Sequence, residues 1–219
     1  MKKIIIFLGA PGSGKGTQAK KLAEKYDYGH ISTGHLLRDL QTKDKLTADE
    51  KAAVAAMHDG KLVPDEIIYH LAFNAINKFL DQGKGVILDG AVRSFEQAKA
   101  YQHFFKEKKL LHEVVTVEVH IPDEESYNRL ANRRVCSGCG AIFPVDVSKP
   151  LPLCAQCGGK LTTRTDDAPE TVAKRVLAQG NNAITPIKNY YKGLHELYTI
   201  DGTQAIHAVE HDIEKVLNP

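Results

Sequence analysis

Five consecutive apolar residues, Ile4 to Leu8, run directly into "GAPGSGKGT", Gly9 to Thr17, and a helical pattern follows at once. An unbroken apolar run reads as a strand buried on both faces, which requires a sheet with helices packed on either side. The glycines permit a loop whose backbone N–H groups converge on an anion. The helix N-terminus adds its partial positive charge, and Lys15 can reach the outer phosphates of a nucleotide. A bland glycine-rich turn would explain the composition but neither the lysine nor the strand–helix setting. The usual pattern places Ser or Thr straight after Gly-Lys, whereas here Gly16 intervenes and the hydroxyl falls on Thr17. Gly12, Ser13, Gly14, Lys15, Gly16 and Thr17 are therefore candidate phosphate ligands.

Further apolar runs alternate with helical patterns. "VILDG" at 86–90 and "VVTVEVHI" at 114–121 read as strands, and "YGHIS" and "LYTIDG" as two weaker ones. Ala19, Leu22, Ala23 and Tyr26 recur at helical spacing, as do Leu71, Ala75 and Phe79. A β-α-β-α order predicts a parallel sheet. A polar helical stretch near 32–63 and a Gly/Pro/Cys-rich stretch near 132–167 break the alternation and read as insertions into one core. With 29 basic and 27 acidic residues the net charge is +2, too balanced for a general polyanion binder. The apolar run in "MKKIIIFLGAPG" is too short for a signal peptide core and no later run reaches spanning length, so a cytoplasmic protein with no membrane association is expected.

Asp89 closes the strand in "VILDG", where an acidic side chain can hold Mg²⁺ through water beside the phosphates; taken alone, it could equally cap a helix. Cys136, Cys139, Cys154 and Cys157 form CxxC-x14-CxxC, each pair followed by Gly. In a reducing compartment this spacing holds a metal rather than disulfides. Four thiolates fill the shell of Zn²⁺ and leave no open position, so the site is structural and not catalytic. A nucleic-acid ribbon would interleave basic and aromatic residues, yet one Lys and one Phe lie between the pairs, and no nucleic-acid partner is expected. Four free cysteines at accidental spacing are the alternative.

"GAPGSGKGTQAKKLAEKY", "ISTGHLLR", "DGAVRSFEQA", "NRRV" and "TTRTDD" followed by "ETVAKR" occur in an order and spacing that resembles the adenylate kinases and related nucleoside monophosphate kinases, over nearly the whole chain. The long-lid bacterial type, whose lid often carries a four-cysteine zinc site, is the nearest match. The resemblance implies an α/β fold of P-loop NTPase type, with a five-stranded parallel sheet flanked by helices. It implies a core of residues 1–31, 64–131 and 168–219, a mobile NMP-binding insertion at 32–63 and a mobile zinc-binding LID at 132–167. It also implies transfer of a phosphoryl group between Mg·ATP and AMP, giving two ADP. Lys15, Asp89, Arg93, Arg133, Arg164 and Arg175 would be the catalytic set. Arg38, Arg93, Arg164 and Arg175 would serve the monophosphate or the transferred group, and Arg133 the ATP phosphates. Arg129, Ile142, Phe143 and Gln204 would lie about the ATP base and sugar. Thr33, Lys61, Leu62, Val63, Gly90 and Gln97 would meet AMP, with Thr33 and Gln97 selecting adenine. "SFEQ" is also a capping box, with Ser94 as cap and Gln97 reaching back.

Two positions depart from the family pattern. His35 stands where Asp is usual, and Ala91-Val92 where Phe-Pro is usual. An imidazole arranges water around Mg²⁺ less well than a carboxylate, and loss of the ring and the rigid Pro loosens Arg93. Slower transfer or an altered monophosphate preference is expected. UMP, CMP or GMP as acceptor, or a catalytically weak nucleotide-binding protein, remain competing readings. With no long exposed apolar stripe, a monomer is expected.

Overall fold

A computed structural model describes residues 1–40, 45–58, 63–144 and 153–218. The strands β1 (Ile4–Leu8), β2 (Gly29–Ser32), β3 (Val86–Asp89), β4 (Val114–His120) and β8 (Leu197–Asp201) form one parallel sheet in the order β2-β3-β1-β4-β8. All five are the strands expected from the apolar runs. Ile4, Ile6, Leu8, Val86 and Leu88 face one layer, made by α4 (Asp65–Asp81), α5 (Phe95–Glu107) and α8 (Asn181–Gly193). Ile5, Phe7, Ile87, Val117 and Val119 face the other, made by α1 (Lys15–Tyr26) and α9 (Ile206–Leu217). Burial of β1 on both faces is why its sequence lacks alternation.

The inward face of α4 is Ile68, Ala72 and Ile76; Leu71, Ala75 and Phe79, which the periodicity put at the centre, lie one position round on its flanks and are partly buried. The helix is apolar over most of its circumference because it covers the sheet on one side and the first insertion on the other. In that insertion α2 (Thr33–Leu40) and α3 (Ala48–His58) pack a small cluster of their own, Leu37, Leu40 and Ala53 with Val63 and Ile68.

The second insertion leaves α6 (Asp123–Ala131) and builds a three-stranded antiparallel sheet from β5 (Arg133–Cys136), β6 (Ile142–Pro144) and β7 (Leu161–Thr162). It returns through a 3₁₀ turn at Thr165–Asp167 into α7 (Pro169–Gln179). That turn touches α3, so the two inserted units meet across the carboxyl edge of the parallel sheet.

One buried charge crosses the core. Glu118 on β4 is wholly buried and its carboxylate meets Lys188 Nζ of α8 at 2.6 Å, while its second oxygen accepts from Thr199 Oγ1 at 2.9 Å. Removing one member strands the other in a low-dielectric setting. Lys188→Met is expected to cost about 2–4 kcal/mol in urea unfolding, more than an exposed lysine exchange, which changes stability by no more than about 0.5 kcal/mol.

Candidate active site

The loop from Gly9 to Gly14 sits at the carboxyl end of β1, where parallel strands leave a crevice. Gly14 precedes α1 with no side-chain cap, and the first turn of α1, which includes Gly16 and Thr17, carries no acidic residue. Its first amides are therefore free for an anion. Ser13 Oγ is buried in this loop without a protein partner. Lys15 Nζ donates to the Ala10 carbonyl at 3.1 Å, spanning the loop. A Cβ at Gly16 would come to 2.9 Å from Asp89 Oδ2, so only glycine lets the carboxylate of β3 lie against the loop.

Burial is the largest influence on Lys15. With Arg93, Arg175 and Arg133 it lowers the ammonium to about 8, against the opposing pull of Asp89. For Asp89 burial works in the raising direction, but His30, Lys15 and Arg93 outweigh it and hold the carboxyl below its usual range. His30 Nε2 lies 3.8 Å from Asp89 Oδ2. Burial and then Arg175 lower Arg93; burial and Arg133 lower Arg38; burial, Arg133 and Arg38 bring Arg164 to about 10. These influences reach between elements far apart in sequence. Lys15, Arg38, Arg93, Arg133, Arg164 and Arg175 thus share one cleft.

Among the described residues, three buried or half-buried carboxylates answer those six cations, Asp89, Asp166 and Asp167, with the exposed Asp39 acting on Arg38 from the rim. Buried Asp167 takes a two-pronged contact from Arg133, Nε and Nη2 each at 2.7 Å, and a third from Arg175 Nη1 at 2.8 Å. Asp166 pairs with Arg175 at 3.0 Å. Neither aspartate is among the candidates that the motifs single out, although both stand in "TTRTDD"; their placement just after Arg164 is the one local signal. Arg93 Nε donates to the Gly90 carbonyl at 2.9 Å and Nη1 to Gln179 Oε1 at 3.1 Å, and Thr33 Oγ1 donates to the same Gly90 carbonyl at 2.6 Å. Gly90 has φ +66°, and a Cβ there would press on the Arg93 guanidinium at 3.2 Å.

The capping box closes differently from the expectation. Ser94 Oγ accepts from the Gln97 N–H at 3.0 Å, as anticipated, but Gln97 Oε1 accepts from the Arg93 N–H at 2.6 Å rather than from the cap residue itself. Gln97 Nε2 has turned to Asp65 Oδ1, which pulls the side chain across the start of α4. Val63 is buried with Leu37 and Leu40, while Lys61 and Leu62 lie outside the described residues. His35 is 72% exposed and 3.8 Å from Asp39, and Ala91 and Val92 are buried in the core.

On the opposite wall, Arg129 Nε pairs with Glu125 at 2.6 Å on α6, beside Gly12. Gln204 Nε2 donates to the Asp201 carbonyl at 3.1 Å and to Asp212 at 3.0 Å, in the turn after β8. Gln18 Nε2 donates to the Ile206 carbonyl at 2.8 Å and ties that turn to α1. Ile142 and Phe143 lie on β6 opposite Val135 and Arg134, and Ile142 is exposed.

The four cysteines converge. Their Sγ atoms lie within 4.8 Å of one another, with Cys136–Cys157 at 3.4 Å and Cys139–Cys154 at 3.6 Å. A tetrahedral Zn²⁺ with bonds of about 2.3 Å sets sulfurs about 3.8 Å apart, so the cluster fits that ion. Each CxxC closes alike, Gly140 N–H on the Cys136 carbonyl and Gly158 N–H on the Cys154 carbonyl. The Cys139 amide, then that of Gly138, lowers the Cys136 thiol to about 6. The Gly159 amide favours the Cys157 thiolate too, but contacts with Cys136 and Cys139 push that thiol up to about 12. Four facing sulfurs cannot all ionise without a cation between them.

A phosphate loop under a parallel sheet's carboxyl edge, roofed by arginines from two insertions, defines a P-loop phosphotransferase. The family profile described as adenylate kinase matches residues 7–195. The adenylate kinase of Archaeoglobus fulgidus is 40% identical over 215 residues, 97% of each chain. That of Lachnoclostridium phytofermentans is 42% identical over 217 residues, again 97% of each, and that of Staphylococcus aureus strain N315 is 38% identical over 98% of each. The chain belongs to the adenylate kinase family.

The lowered Lys15 has a measurable consequence. Near pH 8 the ligand-free lysine is about half protonated, and an arriving triphosphate favours its charged form. Nucleotide binding at pH 8 is expected to take up a substantial fraction of a proton, and affinity to fall as pH rises from 7 to 9. Calorimetry in buffers of differing ionisation enthalpy measures the uptake, and in Lys15→Met it should disappear.

Proposed function

We propose that this protein catalyses reversible transfer of a phosphoryl group from Mg·ATP to AMP, giving two ADP. Membership of the adenylate kinase family supports the reaction, and the excess of six cations over three carboxylates in one cleft carries it. Such an excess is costly unless a polyanion fills the cleft. A single nucleotide bound for its own sake does not need guanidinium groups from both insertions, from the turn before α5 and from α7. Two nucleotides meeting end to end do, because charge spreads over both sides of the phosphorus in flight.

The loop amides and Lys15 hold the donor's outer phosphates. Arg133 enters from β5 on the ATP side; Arg38 from α2 and Arg93 from before α5 grip the monophosphate; Arg164 and Arg175 approach the transferred group. Guanidinium forks match phosphate oxygens two at a time, so position and charge are supplied together. Arg129, Ile142, Phe143 and Gln204 surround the ATP base and sugar. Thr33, Val63, Gly90 and Gln97, with Lys61 and Leu62, form the acceptor side. Asp89 would hold Mg²⁺ through water; the approach of its carboxylate to Gly16, in the first turn of α1, supports this. The ion, when bound, neutralises charge on the phosphates.

The core comprises 1–31, 64–131 and 168–219, and the insertions 32–63 and 132–167 close over the substrates to exclude water, so that AMP rather than water accepts. Cys136, Cys139, Cys154 and Cys157 would hold a structural Zn²⁺ that would stiffen the second insertion, whose small sheet has little apolar mass of its own. No helix among the described residues is long and apolar enough to cross a membrane. A cytoplasmic monomer without a nucleic-acid or membrane partner completes the reading.

Incubating the protein with Mg·ATP and each nucleoside monophosphate in turn tests the reaction. ADP should form fastest with AMP, and no transfer to any acceptor would refute it. Arg93→Ala should lower kcat about 100–1,000-fold with the fold retained. Cys139→Ser should lose bound zinc by elemental analysis and melt at lower temperature, while the helical content of the core persists.

A further inference from the structure

Gln97 is held at both ends of its amide. Oε1 accepts from the Arg93 backbone N–H at 2.6 Å and Nε2 donates to Asp65 Oδ1 at 2.6 Å. A backbone N–H cannot accept, and a carboxylate cannot donate. Only one of the two amide orientations therefore satisfies both neighbours. Its reverse would set donor against donor at Arg93 and acceptor against acceptor at Asp65. Gln97 is only 2% exposed, so water could not relieve either clash.

Asp65 is itself fixed. It opens α4, and its other oxygen accepts from Tyr69 Oη at 3.4 Å. Tyr69 stacks on Phe73 and meets Tyr101 edge-on. Burial first, then the Asp65 carboxylate, push the Tyr69 hydroxyl up to about 12, which keeps it a donor. One hydrogen on Gln97 Nε2 and one lone pair on Oε1 have no protein partner among the described hydrogen bonds. The amide thus offers one donor and one acceptor, in a sense it cannot reverse.

A 6-aminopurine presents an acceptor at N1 and a donor at N6. A 6-oxopurine presents the opposite, N1–H and O6. We infer that Asp65 is a positioning residue for acceptor specificity: by fixing, together with the Arg93 N–H, the sense of the Gln97 amide, it favours 6-aminopurine monophosphates over 6-oxopurine ones. The inference rests on Gln97 meeting the acceptor base, and it adds what prevents that glutamine from serving either kind of purine. A free glutamine would turn over and read both.

AMP and IMP are the probes, since they differ only at position 6 and the N1 proton, without guanine's extra amino group. kcat/KM for each is measured at saturating Mg·ATP in the wild type, Asp65→Asn and Gln97→Ala. Asparagine keeps the shape and pairs with either amide orientation, so it removes one of the two clashes that forbid reversal and leaves only that at the Arg93 N–H; the AMP:IMP ratio should fall about tenfold in Asp65→Asn. Asp65→Glu, which retains the carboxylate, should keep most of it. Asp65→Ser, also able to donate or accept, is the second variant should the first fold poorly. Both acceptors slowing in step, with the ratio intact, would mean that Asp65 only supports the fold. If Gln97→Ala collapses the ratio at the same time, the Asp65 inference alone is overturned. A ratio unchanged in Gln97→Ala would show that Gln97 does not meet the base, and the inference falls with that reading.

Discussion

Mutual repulsion among the cations of the cleft is the constraint that the surrounding fold is arranged to bear. Each guanidinium brought from water toward Lys15 loses hydration and gains like-charged neighbours, which is why Lys15, Arg38, Arg93 and Arg164 all lie below their ordinary values. Nothing inside the cleft offsets this in full. The compensation is remote: two apolar layers on either face of the sheet, with Ile4, Ile5, Ile6 and Phe7 fully buried. A stable core holds a cation-rich site in readiness, and a polyanion then finds it preorganised.

The sheet also decides where that site can be. Parallel strands need crossovers, so every strand's carboxyl end opens into a loop leading to a helix on one face or the other. Gly9 follows β1, Thr33 follows β2 and Gly90 follows β3, and all three strand ends lie side by side through the pairing of β1 with β3 and of β3 with β2. The glycine-rich loop, Thr33 and the arginine-bearing turn are neighbours for this reason. Gly9 and Thr33 are 24 residues apart in the chain, and Thr33 and Gly90 are 57 apart, distances that crossover connections between parallel strands bridge.

The centre of the sheet was legible because β1 and β3 are nearly unbroken apolar runs, while the edge strands β2 and β8, with their mixed sequences, gave weaker signals; the loop was legible because strand, glycines, lysine and helix stand in contiguous order. The cysteine cluster was legible from spacing. What escaped were the side chains whose importance lies in whom they meet. Asp167 serves Arg133 and Arg175 together and is marked in the sequence only by its place after Arg164, while Asp65 serves Gln97 from 32 residues away with no local pattern that singles it out. Gln97 shows the limit most clearly. Its spacing from Ser94 fits a capping box, yet competition from the Asp65 carboxylate and the Arg93 amide redirects its side chain, a tertiary outcome that local pattern cannot weigh.

On the proposed function, Asp167 accounts for how the second insertion is both held and released. Arg133 sits where the chain enters that insertion and Arg175 lies in the helix after it leaves, and the one buried carboxylate engages both. In the ligand-free protein it supplies the anion that those guanidinium groups would otherwise lack. On the proposed function, an incoming phosphate offers more oxygens and more charge at the same place, so the arginines exchange one anionic partner for another instead of moving from water to a dry site. Most of the desolvation has already occurred during folding. Closure then needs little net energy per contact, and reopening after transfer restores a pairing that was waiting. An insertion held by a replaceable internal anion can bind tightly during transfer and still let its product go.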